Sequence, residues 1–300
     1  WAARSSKMHS RRSESCSEPP PSFTTSPRAR ERVSDPQVSG TYLDAILRHH
    51  RERAAEEKRS LGELAAAADR MPPARGFVSS IRAASVSHLA VISEIKRRSP
   101  SKGDLNIDLD ASLMAATYAS AGASCISVLT DEPHFAGSVA DLQAARAACH
   151  VPVLRKDFTV CEADVFDARL MGADCVLLIA AAMSQGEMSN LYSLSVSIGL
   201  DVLVEVHDEA ELEVALEIGA DMIGVNQRDL YTFAVDTERA VRVGRSMPDG
   251  IVRVAESGIR GHEDAVVMAE AGFDAVLVGE TLVRADDPDA ELKSLLIPRN

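Results

Sequence analysis

Aromatic residues are scarce in this chain: seven Phe, four Tyr and one Trp make up 4% of its 300 residues. Any core must therefore be built mainly from aliphatic side chains. Long apolar runs are also missing. The longest, Cys175 to Met183, has nine residues, about half of what a membrane-spanning helix needs, so such a helix is excluded and no membrane partner is expected. The five cysteines, at 16, 125, 149, 161 and 175, are odd in number and scattered, with no CxxC pair. That argues against a disulfide framework and a zinc finger and implies free thiols in a reducing compartment. Cys125 and Cys175 each open an apolar run and read as small core residues. Positive charge is in deficit: 32 Lys and Arg against 45 Asp and Glu leave a net charge of −13. Nucleic-acid binding needs clustered basic residues and is not expected. The Gly-rich GxGxxG turn of dinucleotide-binding folds is absent.

What remains is an ordinary globular composition, 46% hydrophobic and 26% charged. Residues 1–40 stand apart, with ten Ser, five Pro and a net charge of +3. Such a segment cannot bury enough apolar surface to offset its ordering entropy, so it is expected to be a disordered tail. It is Arg- and Ser-rich like an organelle transit peptide, but Glu14, Glu18 and Glu31 argue against that reading and leave a cytoplasmic protein. The folded domain then spans 41–300. It opens with helices over 41–71: Thr41 and Asp44 resemble a capping box, Leu43, Ile46 and Leu47 follow at helical spacing, and Leu61 to Met71 predicts a second helix stopped by Pro72-Pro73.

Beyond this the chain is periodic. Short apolar, β-branched runs recur at Val91–Ile95, Cys125–Leu129, Val151–Leu154, Cys175–Ile179, Val202–Val206, Met222–Val225, Val252–Ala255 and Ala275–Val278. Helical stretches such as Asp208–Ile218 and His262–Ala271 lie between them. Before the second, fourth, sixth and eighth runs a Gly (122, 172, 219, 272) follows a helix and serves as its left-handed stop. Eight strands alternating with helices about 25 residues apart predict an α/β fold, a (β/α)8 barrel with an N-terminal helical extension. A doubly wound open sheet is the alternative.

In such a barrel the active site lies at the C-terminal ends of the strands. Those ends carry Glu94, Lys96 and Ser99 after run one, Lys156 and Phe158 after run three, Glu205 in run five, Asn226 and Arg228 after run six, Glu256, Ser257 and Gly258 after run seven, and Gly279 and Glu280 after run eight. One such residue alone would be read as solvating a loop. Together Lys96, Lys156, Glu205 and Glu256 converge on one spot, where unpaired charges would be costly and paired ones give acid and base catalysts. Barrels commonly bind phosphate after strands seven and eight, the places of Ser257-Gly258 and Gly279-Glu280, with Ser99 able to donate a hydroxyl.

The stretch Val91 to Gly103, with Glu94, Lys96, Ser99, Pro100 and Ser101, resembles the first-strand signature of the indole-3-glycerol-phosphate synthase family. So do Leu129-Thr130-Asp131 with Phe135 to Ser138, Val153 to Phe158, Leu203 to Val206, Gly224 to Leu230, and Ala255 to Ile259. The resemblance runs in order from about Leu43 to Leu296. It implies closure of the ring of 1-(2-carboxyphenylamino)-1-deoxyribulose 5-phosphate, with loss of carbon dioxide and water, to give indole-3-glycerol phosphate for tryptophan synthesis, without cofactor or metal. It implies roles for residues too. Lys156 is the general acid, Glu205 the general base of dehydration, and Lys96 the partner of the anthranilate carboxylate. Glu94 and Glu256 orient the lysines, while Asn226 and Arg228 fix Glu205 and substrate. Ser99, Ser257, Gly258, Gly279 and Glu280 form the phosphate cradle, and Phe135, Phe158, Leu177 and Ile179 the apolar pocket for the aromatic ring. His134 stands where the family usually has an aromatic residue, and either alters that pocket or faces solvent. Association with other enzymes of the tryptophan pathway is left open. Two competing readings are a different phosphate-binding barrel of that pathway, such as phosphoribosylanthranilate isomerase, and a non-catalytic scaffold. The first would want an early Cys and an opposing Asp. The second has no need of buried charges.

Overall fold

The computed structural model describes residues 41–229 and 233–299. The expected disordered tail, Leu230 and Cys16 therefore lie outside the described residues. Eight parallel strands form a closed barrel: β1 (Ala90–Ile95), β2 (Cys125–Leu129), β3 (Val153–Lys156), β4 (Cys175–Ile179), β5 (Asp201–Val206), β6 (Met222–Asn226), β7 (Val252–Glu256) and β8 (Ala275–Val278). Each pairs with its neighbour in sequence, and β1 closes on β8 through Ala90↔Ala275 to Ser93↔Val278. Closure decides for the barrel and against the open sheet. The third strand starts two residues later than its apolar run, because Pro152 has no N–H to give the ladder. Strands β3, β6 and β7 run on through Lys156, Asn226 and Glu256. These polar side chains are therefore held by the sheet rather than by loops.

The leading helices form largely as the sequence predicts. α1 (Tyr42–Ala55) starts at a complete Thr41–Asp44 capping box. α2 (Leu61–Ala68) stops short of Met71, since the residue before a proline avoids the helical region. α3 (Phe77–Ser85) was not evident in the sequence. At nine residues it is too short to hold alone. Its Phe77 and Ile81 are wholly buried, contributing roughly 1.5–3 kcal/mol each, and join Ala90, Ile92, Cys125, Leu154 and Cys175 inside the barrel. Cys125, Cys149, Cys161 and Cys175 are free, and Cys125 and Cys175 are buried among these core residues. A larger aliphatic cluster fills the space between strands and outer helices. Gly122 and Gly172, two of the expected helix stops, have φ of 106° and 92°. The acid after the second stop ties elements together: Asp174 accepts from the backbone N–H of Val153 and of Arg75, both at 2.8 Å. No described helix is long and apolar enough to cross a membrane.

Candidate active site

Side chains on a strand alternate between the barrel interior and the helix layer. Going up the interior of the odd-numbered strands, aliphatic layers give way to one charged layer: Glu94 on β1, Lys156 on β3, Glu205 on β5 and Glu256 on β7. Four side chains from alternate strands are one layer of such a barrel, which is why residues so far apart in sequence meet. Lys156 Nζ donates to Glu205 Oε2 at 2.9 Å and to Glu256 Oε2 at 2.8 Å. Glu94, Glu205 and Glu256 are only 2–3% exposed.

Burial by itself would push the Lys156 ammonium toward neutrality, but Glu205, Glu256 and Glu94 outweigh it and raise its pKa above the usual lysine value. Burial would likewise raise both glutamates. For Glu205 it is overcome by Lys156, then His207 and the Asn226 amide, which bring the carboxyl down to about 2. Asn226 Nδ2 donates to Glu205 Oε1 at 2.9 Å, and Asn226 Oδ1 accepts from the Arg228 N–H at 3.0 Å. Glu256 has no such amide. Burial and the nearby Glu205 charge, only partly offset by Lys156, push it up to about 7, and its Oε1 is buried without a partner. One cation between two carboxylates thus leaves Glu205 the anion and Glu256 the group that takes a proton first.

Lys96, just beyond the end of β1, pairs with Glu94 of the same strand. Two glycines make room for this layer. A Cβ on Gly279 would come 2.5 Å from Glu94 Oε1, and one on Gly224 2.0 Å from Glu256 Oε1. Gly279, expected to bring the backbone near an anion, is thus a glycine because of Glu94. Gly224 was not singled out, although a glycine inside an apolar strand marks a close approach.

Above this layer opens a cavity of about 690 Å³, a usual size for a small-molecule site. All sixteen expected site residues line it. At one side lie Ser99, Ser257, Gly258, Gly279 and Glu280. Ser99 Oγ is buried without a partner. Ser257 has φ of 64°, a left-handed backbone that a non-glycine residue adopts at a cost and that clusters at functional sites. Its carbonyl is held by Gln227 Nε2 at 2.7 Å. Gly258, with φ of 73°, is packed so that a Cβ would meet Val235 Cγ1 at 2.7 Å. The helix Glu280–Arg284 has its first internal bond from Val283 N–H to Gly279 C=O, so the amides before Val283 have no partner within the helix. The Glu280 carboxylate lies 3.9 Å from Arg284. At the other side lie Leu177, Ile179 and two rings, Phe135 and Phe158, with centroids 6.2 Å apart. Tyr42, Leu43 and Ile46 of α1 roof the cavity, the place that the apolar face of this leading helix was expected to cover. Lys102, Arg260 and Arg284 also reach it. His134 does not: its ring lies against Tyr42 and His49 of α1 and bonds to Asp131.

A family profile described as indole-3-glycerol phosphate synthase matches residues 43–295. Among curated relatives, indole-3-glycerol phosphate synthase 2 of Streptomyces coelicolor is 47% identical over 259 residues, 86% of this chain and 98% of that protein. The indole-3-glycerol phosphate synthase of Streptomyces griseus is 48% identical over 256 residues, covering 85% and 94%. Among solved structures, a thiamine phosphate pyrophosphorylase from Pyrococcus furiosus superposes with a TM-score of 0.50 at 19% identity, over 69% of this chain and 93% of that one. That likeness is one of fold alone.

Proposed function

Because the chain belongs to the indole-3-glycerol phosphate synthase family, we infer that the charged layer and the cavity above it are where its reaction occurs. The enzyme converts 1-(2-carboxyphenylamino)-1-deoxyribulose 5-phosphate to indole-3-glycerol phosphate by ring closure, decarboxylation and dehydration. The observation that carries the residue assignment is Lys156 held between Glu205 and Glu256 at the floor of the cavity.

In this reading the phosphate sits by Ser99, the Ser257-Gly258 backbone and the free amides at Glu280, and the aromatic ring lies against Phe135, Phe158, Leu177 and Ile179. Some 690 Å³ accommodates both. Ring closure joins the aryl carbon to the ribulose carbonyl carbon, whose oxygen becomes an alkoxide. Lys156, kept fully protonated by its two carboxylates, gives that oxygen a proton. Lys96 pairs with the anthranilate carboxylate until the bond to carbon dioxide breaks, and the apolar wall desolvates that carboxylate. Dehydration then needs a base. Glu205, ionised at neutral pH, takes a proton from the ring carbon beside the nitrogen, the C–H electrons become the new ring double bond, and the hydroxyl formed from the carbonyl oxygen leaves as water with a proton from the Lys96 ammonium. Glu94 and Glu256 hold the two lysines in place, and Asn226 with Arg228 hold Glu205. The free thiols support a cytoplasmic setting. The test is appearance of indole-product fluorescence from synthetic substrate, with Lys156→Met and Glu205→Gln as variants. Turnover near the wild-type rate in both would remove the charged layer from the mechanism.

A further inference from the structure

Outside the charged layer, one cluster joins residues that the reaction does not use. His50 lies on α1, Asp131 follows β2, and His134 lies one turn beyond in the short helix Glu132–Phe135. His50 Nε2 is 2.9 Å from Asp131 Oδ1, and His134 Nδ1 is 3.1 Å from Asp131 Oδ2. One ligand atom from each of the three residues lies within 4.8 Å of the others. No metal-ligand spacing is visible in the sequence, because one of the three comes from an element 81 positions from the next.

We propose that His50, Asp131 and His134 form a binding site for a zinc-class divalent transition-metal ion, which clamps α1 onto the loop after β2. Two imidazoles and one carboxylate suit zinc and its neighbours rather than magnesium or calcium. Ligand bonds of about 2.0–2.2 Å in a tetrahedral site put ligand atoms roughly 3.2–3.5 Å apart. The present 2.9 and 3.1 Å need to open by a few tenths of an ångström, and the two imidazole nitrogens, which lie within 4.8 Å of each other, need to settle at the same spacing. The charge balance points the same way. The Asp131 side chain is fully buried, and among the described residues its ion-pair partners are the two imidazoles. A buried carboxylate with no lysine or arginine partner among the described residues favours a bound cation. His50 Nδ1 is buried without a partner, so the ring is held from its Nε2 side and by stacking on Phe158 at 5.3 Å. His134 is the most exposed of the three, at 19%, and gives the ion its way in.

Such an ion would tie down the roof of the cavity, because α1 carries Tyr42, Leu43 and Ile46. None of the three ligands has a role in the proposed reaction, so the test reads binding and stability. Chelator-treated full-length protein is titrated with zinc by calorimetry and with cobalt by visible absorption. One ion per chain is expected. The melting temperature should rise by about 5 °C at a zinc concentration roughly one hundred times the dissociation constant, and magnesium should have no effect. His134→Gln and His50→Gln should each weaken zinc binding by at least about tenfold. His262→Gln, whose ring bonds to Ser294 C=O on the outer surface, should leave it unchanged. If His50→Gln does not fold, His134→Gln decides alone. No zinc binding, or binding unchanged by His134→Gln, would overturn the proposal.

Discussion

Replacing Lys156 with Met keeps most of the volume and removes the one cation between Glu205 and Glu256. Both contacts, at 2.9 and 2.8 Å, are lost together. With the general acid gone, kcat should fall by at least about 10²–10³-fold. Stability should fall too, by an amount that depends on pH. Breaking a buried pair by removing one partner costs about 3–5 kcal/mol when the other charge stays uncompensated. Here the two stranded carboxylates can escape by binding protons. Their folded-state pKa values then lie above the unfolded value. The folded variant binds more protons than the unfolded chain, and its stability is lost as pH rises through the raised pKa. Glu256 is already at about 7 with the lysine present, so the window lies around and above neutrality. We therefore expect a loss of about 3 kcal/mol at pH 8.5, or a melting temperature roughly 6 °C lower, and a clearly smaller loss at pH 6. Denaturant unfolding of both proteins at the two pH values measures it. An equal loss at both pH values, or a larger one at pH 6, would mean that stranded charge is not what Lys156 neutralises. A kcat within a few-fold of wild type would remove Lys156 from the catalytic set.

Gly279→Ala should push the Glu94 carboxylate off Lys96, since the new Cβ would come 2.5 Å from Glu94 Oε1; steady-state kinetics should show kcat/KM down about tenfold or more with a modest change in melting temperature. Ser99→Ala removes a hydroxyl that has no protein partner, so KM should rise by roughly three- to tenfold with thermal stability unchanged; an unchanged KM would move the phosphate away from Ser99. Glu280→Ser keeps the backbone amide and removes a negative charge near the expected phosphate, so product affinity by calorimetry should stay equal or improve, and a large loss would mean that the side chain faces the ligand. Deleting residues 1–40 should leave turnover and melting temperature nearly unchanged, whereas deletion through Met71 takes away the roof of the cavity and the α2 contacts with Ala163 and Phe166, and should cost most of the activity.

The eight apolar runs and the glycine stops between them were legible because they are local. A strand buried on both faces reads as a continuous aliphatic run, and a left-handed helix stop reads as Gly. Since active sites of these barrels lie at strand ends, the residues that line the cavity, from Glu94 to Glu280, could be found by position, and family likeness assigned them roles. What the sequence alone could not decide depends on which side chains meet. Closure of β1 on β8 puts Glu94, Lys156, Glu205 and Glu256 into one interior layer, and only that geometry makes Glu205 the anion and Glu256 the easily protonated partner. A single buried lysine cannot neutralise two carboxylates, and the Asn226 amide is on the side of Glu205. The same long-range packing sends α3 into the barrel, makes Gly224 and Gly279 serve carboxylates on the neighbouring strands, and brings His50 on α1 against Asp131 after β2. None of these contacts leaves a periodic trace along the chain, because each joins elements whose separation in sequence carries no information about their distance in space.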